Sequence, residues 1–137
     1  MRSRIAIADL EKTSATFTAF PEYCVSKLCN VLHAKELARR LSDTNVTTYS
    51  LHPGGVASDI WQRRMGAFAI LLRPFLITNE KGARTQVRCA TEPSLSKETG
   101  LYYDKERVKE PAKLANDVAL QDELDRRSRE WVKPFLG

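Results

Sequence analysis

The stretch Tyr23-Cys24-Val25-Ser26-Lys27-Leu28-Cys29-Asn30-Val31-Leu32 runs through Glu36-Leu37-Ala38-Arg39-Arg40-Leu41 to Val46-Thr47, and then to Leu51-His52-Pro53-Gly54-Gly55-Val56. Its reading decides the fold. Pro21 stands where a helix can begin, because its fixed φ suits the first turn and its missing N–H is not needed there. From that point Val25, Leu28, Cys29, Leu32, Leu37 and Leu41 recur largely at steps of three and four, which predicts an amphipathic helix over residues 21–41. A polar break at residues 42–45 follows. The β-branched run Val46, Thr47 and Thr48 then leads to His52 and closes on Pro53 and Gly54, which predicts a short strand running into a tight loop.

On the N-terminal side, residues 1–20 mix Ser and Thr with isolated apolar residues and show no sustained period, so they read as a loop leading into the helix. On the C-terminal side, residues 57–78 are irregular, with Trp61, Met65, Phe68, Leu71, Leu72, Phe75 and Leu76 spaced unlike a single core helix. Such a segment suits a substrate lid over an apolar pocket, formed by Trp61, Met65, Phe68, Leu72 and Phe75. It is also compatible with ordinary core packing, or with a membrane surface on which Arg63, Arg64 and Arg73 meet headgroups. Thr78-Asn79-Glu80-Lys81 starts a second helix, whose apolar stripe is Ala83, Val87 and Ala90 and which ends at Pro93. Leu101-Tyr102-Tyr103 is a brief strand after Gly100. Asn116 is the expected N-cap of a last helix carrying Val118, Leu120, Leu124 and Trp131 inward.

This alternation of helix and strand is the pattern that builds α/β folds with parallel sheets. The chain divides as a leading loop (1–20), a helix, strand and loop (21–56), a lid (57–78) and a C-terminal helix-strand-helix (79–137). Its 137 residues, 42% hydrophobic, fit one small domain and exclude a disordered polar chain. The net charge of +5 is spread along helices and locally offset by acids, as in Lys35, Glu36, Arg39 and Arg40 or Asp122, Glu123, Arg126 and Arg127. No nucleic-acid motif accompanies that charge, so no nucleic-acid partner is expected. Cys24, Cys29 and Cys89 lack the spacing of a zinc knuckle or redox pair, so no metal is expected and reduced thiols fit best. The N-terminal residues do not show the order of a signal peptide, and no apolar run reaches the ~18 residues that span a bilayer.

Tyr23 and Lys27 are four residues apart and so project from one helical face about one turn from each other. They can act on one bound molecule. A free phenol with a pKa of about 10 is a poor acid/base near neutrality, and lowering it by ~3 units takes about 4 kcal/mol of differential stabilisation of the phenolate. A lysine ammonium beside it and the positive charge of an oxidised nicotinamide are suited to supply that. The Tyr-x-x-x-Lys pattern also arises by chance on helices, so its context decides.

That context resembles the short-chain dehydrogenase/reductase family, most closely its retinol dehydrogenase (retinal reductase) branch. The run from Tyr23 to Val56 carries the resemblance, and Glu80-Lys81-Gly82-Ala83-Arg84-Thr85-Gln86, Gly100-Leu101-Tyr102-Tyr103 and the helix containing Trp131 follow in that branch's order. The resemblance implies that Tyr23 is the acid/base and that Lys27 holds the nicotinamide ribose and depresses the Tyr23 pKa. It also implies that Pro53, Gly54, Gly55 and Val56 contact the nicotinamide carboxamide, with the Ser58 hydroxyl near the cofactor. NADP(H) is implied more strongly than NAD(H), with a lipophilic alcohol or aldehyde such as a retinoid as substrate. The helix over residues 21–41 is a possible subunit contact, and an endoplasmic-reticulum-associated or cytoplasmic setting is expected.

The same resemblance defines what these residues do not supply. The six glycines never group as a G-x-G-x-x-G phosphate loop, and the family's catalytic serine belongs on a strand before the tyrosine. Ser3 and Ser14 do not follow an apolar strand-like run. The expected fold is therefore the C-terminal half of a Rossmann-like doubly wound parallel sheet, without its nucleotide-binding front half. The alternative function is that of a truncated, non-catalytic product acting at most through protein association. Among the histidines, His33 lies off the Tyr23 face and reads as a surface or packing residue, while His52 reads as structural at the strand end.

Overall fold

A computed structural model of the protein describes Ile7, residues 20–55 and residues 77–137. Helix α1 spans Phe20–Arg40, with Pro21 and Glu22 in its first turn and Arg39 and Arg40 in its last, charges that match the helix dipole at both ends. Strand β1 (Tyr49–His52) follows, then α2 (Asn79–Thr91), β2 (Leu101–Asp104), β3 (Arg107–Val108) and α3 (Val118–Val132). β1 and β2 pair in parallel, Tyr49 opposite Leu101 through His52 opposite Asp104. β2 and β3 are antiparallel, with Tyr103 opposite Val108.

The α/β class and the parallel β1–β2 pair match the sequence reading, whereas β3 makes the sheet mixed. β3 escapes the sequence because its turn is built from Lys105 and Glu106, both at positive φ (50° and 67°), instead of the Asn-Gly or Asp-Gly pair that such a turn favours. Side chains of α2 hold this turn. The Thr85 hydroxyl accepts the Glu106 N–H at 3.1 Å, and Arg88 Nη1 donates to the Glu106 carbonyl at 2.8 Å.

The core lies where α1 crosses α3. Leu32 and Leu124 pack together with Ile7, flanked by Leu28, Cys29 and Leu120. Buried Ile7 thus shows that part of the leading segment contributes to the core; the remaining residues of the expected loop, 1–6 and 8–19, lie outside the described residues. Leu37 and Leu41 are only half-buried, while Ala34, Glu36 and Ala38 are buried. Small side chains on that face let the helix approach the sheet. A Cβ added at Gly100 would sit 3.0 Å from the Ala38 Cβ. The aromatic wall is fixed by its hydroxyls: Tyr49 Oη reaches the Leu95 and Glu98 carbonyls at 2.6 and 2.7 Å, and Tyr103 Oη reaches the Glu98 carboxylate at 3.2 Å.

Two further expectations are corrected. Ala83, Val87 and Ala90 face outward, with Val87 57% exposed, because α2 turns Gly82 and Thr85 inward, the small residues that admit close packing on the sheet. α3 is capped by Asp117, whose carboxylate accepts the Leu120 N–H at 3.1 Å. Asn116 is consumed by the preceding 3₁₀ turn and donates to Glu110 at 2.6 Å. On α3 itself Leu124 and Gln121 are buried, whereas Val118 and Trp131 are substantially exposed. The expected start of α2 holds, since Thr78 Oγ1 accepts the Lys81 N–H at 3.3 Å.

Candidate active site

Tyr23 and Lys27 occupy the N-terminal part of α1, which stands clear of the core. Tyr23 is 57% exposed. The Lys27 ammonium lies 5.2 Å from the centre of the Tyr23 ring, over its face, as expected of a cation drawn to a π-system. Phe20 stacks with the tyrosine at 6.5 Å between ring centres, and Ser26 donates to the Tyr23 carbonyl at 2.8 Å. The Tyr23 ring thus has both an aromatic and a cationic neighbour while remaining largely exposed.

The second component is the loop after β1. Gly54 has φ +98°, a conformation that side chains rarely adopt, and a Cβ there would meet Lys105 Cε at 3.1 Å and Ile77 Cδ1 at 3.3 Å. The positive φ is what favours glycine here, and the two side-chain ends add a tight fit. The Gly55 carbonyl accepts the Ile77 N–H at 2.9 Å, and Gly54 N–H donates to His52 Nδ1 at 3.2 Å. His52 and Asp104 end the parallel pair side by side, so the loop sits at the carboxyl edge of the strands, where open α/β sheets bind ligands. Val56, Ser58 and the lid residues Trp61, Met65, Phe68, Leu72 and Phe75 lie outside the described residues.

The C-terminal half of α1 is tied to the sheet. The Thr48 hydroxyl donates to the Ala34 carbonyl at 2.8 Å, and Ala38 packs on Gly100, so the C-terminal half of α1 lies over the strand beginnings. From Ala34 back to Tyr23 along the helix, and from Thr48 forward to Pro53 along the strand, the chain advances about 16 Å in each case.

Sequence reasoning missed the charged group at this edge. Lys109 Nζ bonds Asp104 Oδ2 at 2.7 Å, and this bond, with Lys109, His52 and Lys105 nearby, holds the Asp104 carboxyl below the usual range despite burial acting the other way. The register of β2 carries the signal, since Asp104 is its last residue. A second omission is Glu36, read as a surface charge but only 7% exposed. Arg40 pairs locally with Glu36 at 3.5 Å as expected, but both arginines also cross to α3: Arg39 bonds Gln121 at 3.0 Å and pairs with Asp122, and Arg40 bonds Asp125 at 3.2 Å. The expected local pairing also holds for Arg126 and Arg127 with Glu123, at 2.7 and 3.2 Å.

His33, Glu36 and Asp125 bring donor atoms within 4.8 Å of one another. Asp125 already bonds Arg40 and Arg129, at 3.2 and 2.7 Å, and Arg40 approaches Glu36 at 3.5 Å. Two guanidiniums thus balance the two carboxylates and oppose a cation, which makes the group a helix-helix tie. His33 is exposed, as its position off the Tyr23 face implies.

No family model matches the sequence. Its relatives decide the assignment. Over 135 residues, 96% of this chain, it is 33% identical to the WW domain-containing oxidoreductase of Drosophila melanogaster, and over 103 residues, 73% of the chain, 40% identical to retinol dehydrogenase 12 of Homo sapiens. The chain belongs to the short-chain dehydrogenase/reductase family. The retinol dehydrogenase 12 of Bos taurus is 45% identical over 84 residues, 59% of the chain. Those stretches cover 33%, 32% and 26% of the respective relatives, so the chain spans a third or less of the length of the proteins it resembles.

Proposed function

We propose that this chain supplies the acid/base end of an oxidoreductase that transfers hydride between NADP(H) and a lipophilic alcohol or aldehyde, with retinoids as the substrate class. The observation that carries the reading is the Tyr23–Lys27 pair, one helical turn apart on the open part of α1, in a chain whose Gly54 loop follows β1 at the carboxyl edge of the sheet. The names of the relatives, retinol dehydrogenase and oxidoreductase, support the reaction class.

In carbonyl reduction the Tyr23 hydroxyl gives its proton to the substrate oxygen, and in alcohol oxidation the phenolate takes that proton back. Lys27 stabilises the phenolate by charge and offers its N–H groups to ribose hydroxyls. A bound nicotinamide supplies or accepts the hydride. The residues present fit the nicotinamide-ribose end of such a cofactor: an exposed ammonium for hydroxyls, and a loop at the carboxyl edge of the strands whose backbone groups are available to a carboxamide. Pro53, Gly54, Gly55 and Val56 border the carboxamide in this reading and Ser58 adds a hydroxyl. The lid from Trp61 to Phe75 covers the apolar part of the substrate.

The domain is the C-terminal portion of a Rossmann-like sheet, and the exposed face of α1 suits contact with a second subunit. Among the described residues no helix is long and apolar enough to cross a membrane. An endoplasmic-reticulum-associated or cytoplasmic setting is part of the proposal. The test is NADPH-dependent reduction of a retinaldehyde by the purified chain and by Tyr23→Phe. Turnover that falls at least ~10²-fold in the variant supports the acid/base role. Equal turnover in both refutes it, and no turnover in either favours a non-catalytic product acting through protein association.

A further inference from the structure

The Nδ1 atom of His52 faces two groups that make opposite demands on it. The Gly54 N–H points at it from 3.2 Å and requires a lone pair, while Asp104 Oδ1 lies 3.6 Å away and requires a proton. An imidazole protonated on Nε2 alone can satisfy only the first; an Nδ1–H, which the imidazolium always carries and which the negative Asp104 favours in that charged form, satisfies only the second. The surrounding charges and bonds leave the ring this choice. Asp104 is tied through its other oxygen to Lys109 at 2.7 Å, so its carboxylate stays in place, and the Lys105 N–H anchors the His52 carbonyl at 3.1 Å. The Lys105 stem lies where a Gly54 side chain would be. Asp104 at the end of β2, Lys105 in the turn after it and Lys109 just beyond β3 are the charged groups gathered around this contact, both lysines acting on the Asp104 carboxylate. The His52 side chain itself is 58% exposed, open to proton exchange with solvent.

We infer that His52 is a positioning residue, a proton-operated latch on the Pro53–Gly55 loop. In its neutral form it accepts the Gly54 N–H and fixes the loop against β1. On protonation Nδ1 turns to the Asp104 carboxylate and the Gly54 N–H is released. The proton comes from solvent, one N–H···N bond is lost and one N–H···O⁻ bond forms. The importance of the latch for chemistry rests on the reading of this loop as the nicotinamide contact, but the latch itself exists without any cofactor.

The experiment is an NMR pH titration of the ¹⁵N-labelled chain that follows the Gly54 amide and the His52 ring protons together. Both should move with one common midpoint, and the Gly54 amide proton should shift upfield as the pH falls. His52→Asn, whose amide oxygen can replace Nδ1 as acceptor, should keep the Gly54 amide downfield at every pH, and His52→Ala should leave it upfield throughout. A Gly54 amide that ignores the His52 titration overturns the inference, with no variant required. Addition of NADPH to the same sample separates the two proposals: co-titration without any cofactor-induced shift at Gly54 and Gly55 upholds the latch while contradicting the nicotinamide reading.

Discussion

Helix α1 contains two regions of opposite character. From Leu32 to Arg40 it is bound into the fold: Leu32 is 1% exposed, Ala34, Glu36 and Ala38 are buried, and Arg39 and Arg40 reach α3. From Phe20 to Lys27 it is mostly open, with Tyr23 57% and Phe20 65% exposed, and this part bears the proposed chemistry. One continuous helix thus uses its second half as an anchor and its first half as a platform. A rigid element can hold a phenol and an ammonium in fixed relation without burying either, so these two residues should contribute little to stability.

The sharpest way to break that comparison is a pair of substitutions. Leu32→Ala removes a buried side chain from the contact with Leu124 and Ile7 and should cost about 2–5 kcal/mol in urea denaturation. Tyr23→Phe removes only an exposed hydroxyl and should stay within about 0.5 kcal/mol of the wild-type chain. Equal losses would mean that the platform and the anchor are not distinct.

A smaller effect sharpens the anchor. The Asp125 carboxyl is held below its usual range, first by its bond to Arg129 and with help from Arg40, against the opposing effect of burial. Its folded-state value is therefore lower than its unfolded value of about 3.9. The stabilisation it brings is complete above that unfolded value and is lost as the pH falls through the folded one. Urea midpoints measured between pH 2 and 6, an interval set around the ordinary carboxylate range, should drop on acidification more steeply for the wild type than for Asp125→Asn. Parallel profiles would remove Asp125 from the tie between α1 and α3.

The smallest expected change concerns the turn beside the platform. Lys105 and Glu106 both sit at positive φ. Replacing them together by Asn-Gly, which adopts that conformation readily, should stabilise the chain by about 0.5–1 kcal/mol. Thermal denaturation reads this directly, and a loss of stability would show that the Lys105 side chain beside Gly54 contributes more than its backbone strain costs.

The platform was legible in the sequence and much of the anchor was not. Tyr23, Lys27 and the Pro53–Gly55 loop are marked by residue type and spacing, because chemistry at a backbone or a proton demands particular groups. The extent of α1 and the parallel sense of the β1–β2 pair followed from periodicity and from the alternation of helix and strand. Glu36 was hidden because its neighbours Arg39 and Arg40 resemble a solvated charge run, and only the approach of α3 reveals that they bond across the interface. The outward stripe Ala83, Val87 and Ala90 misled for a related reason: periodicity locates an apolar face but not what covers it, and here the small residues Gly82 and Thr85 take the buried side. β3 left no signal since its turn is held by Thr85 and Arg88 from another element.

The central claim, that the open half of α1 and the Gly54 loop together receive the nicotinamide-ribose end of a cofactor, is tested most directly with reduced nicotinamide mononucleotide, a probe limited to that end. Titrated into the ¹⁵N-labelled chain, it should shift the amides of Tyr23, Lys27, Gly54 and Gly55 together along one saturable curve, with ribose 5-phosphate leaving Gly54 and Gly55 unmoved. Shifts confined to other regions, or identical shifts with both compounds, would contradict the account.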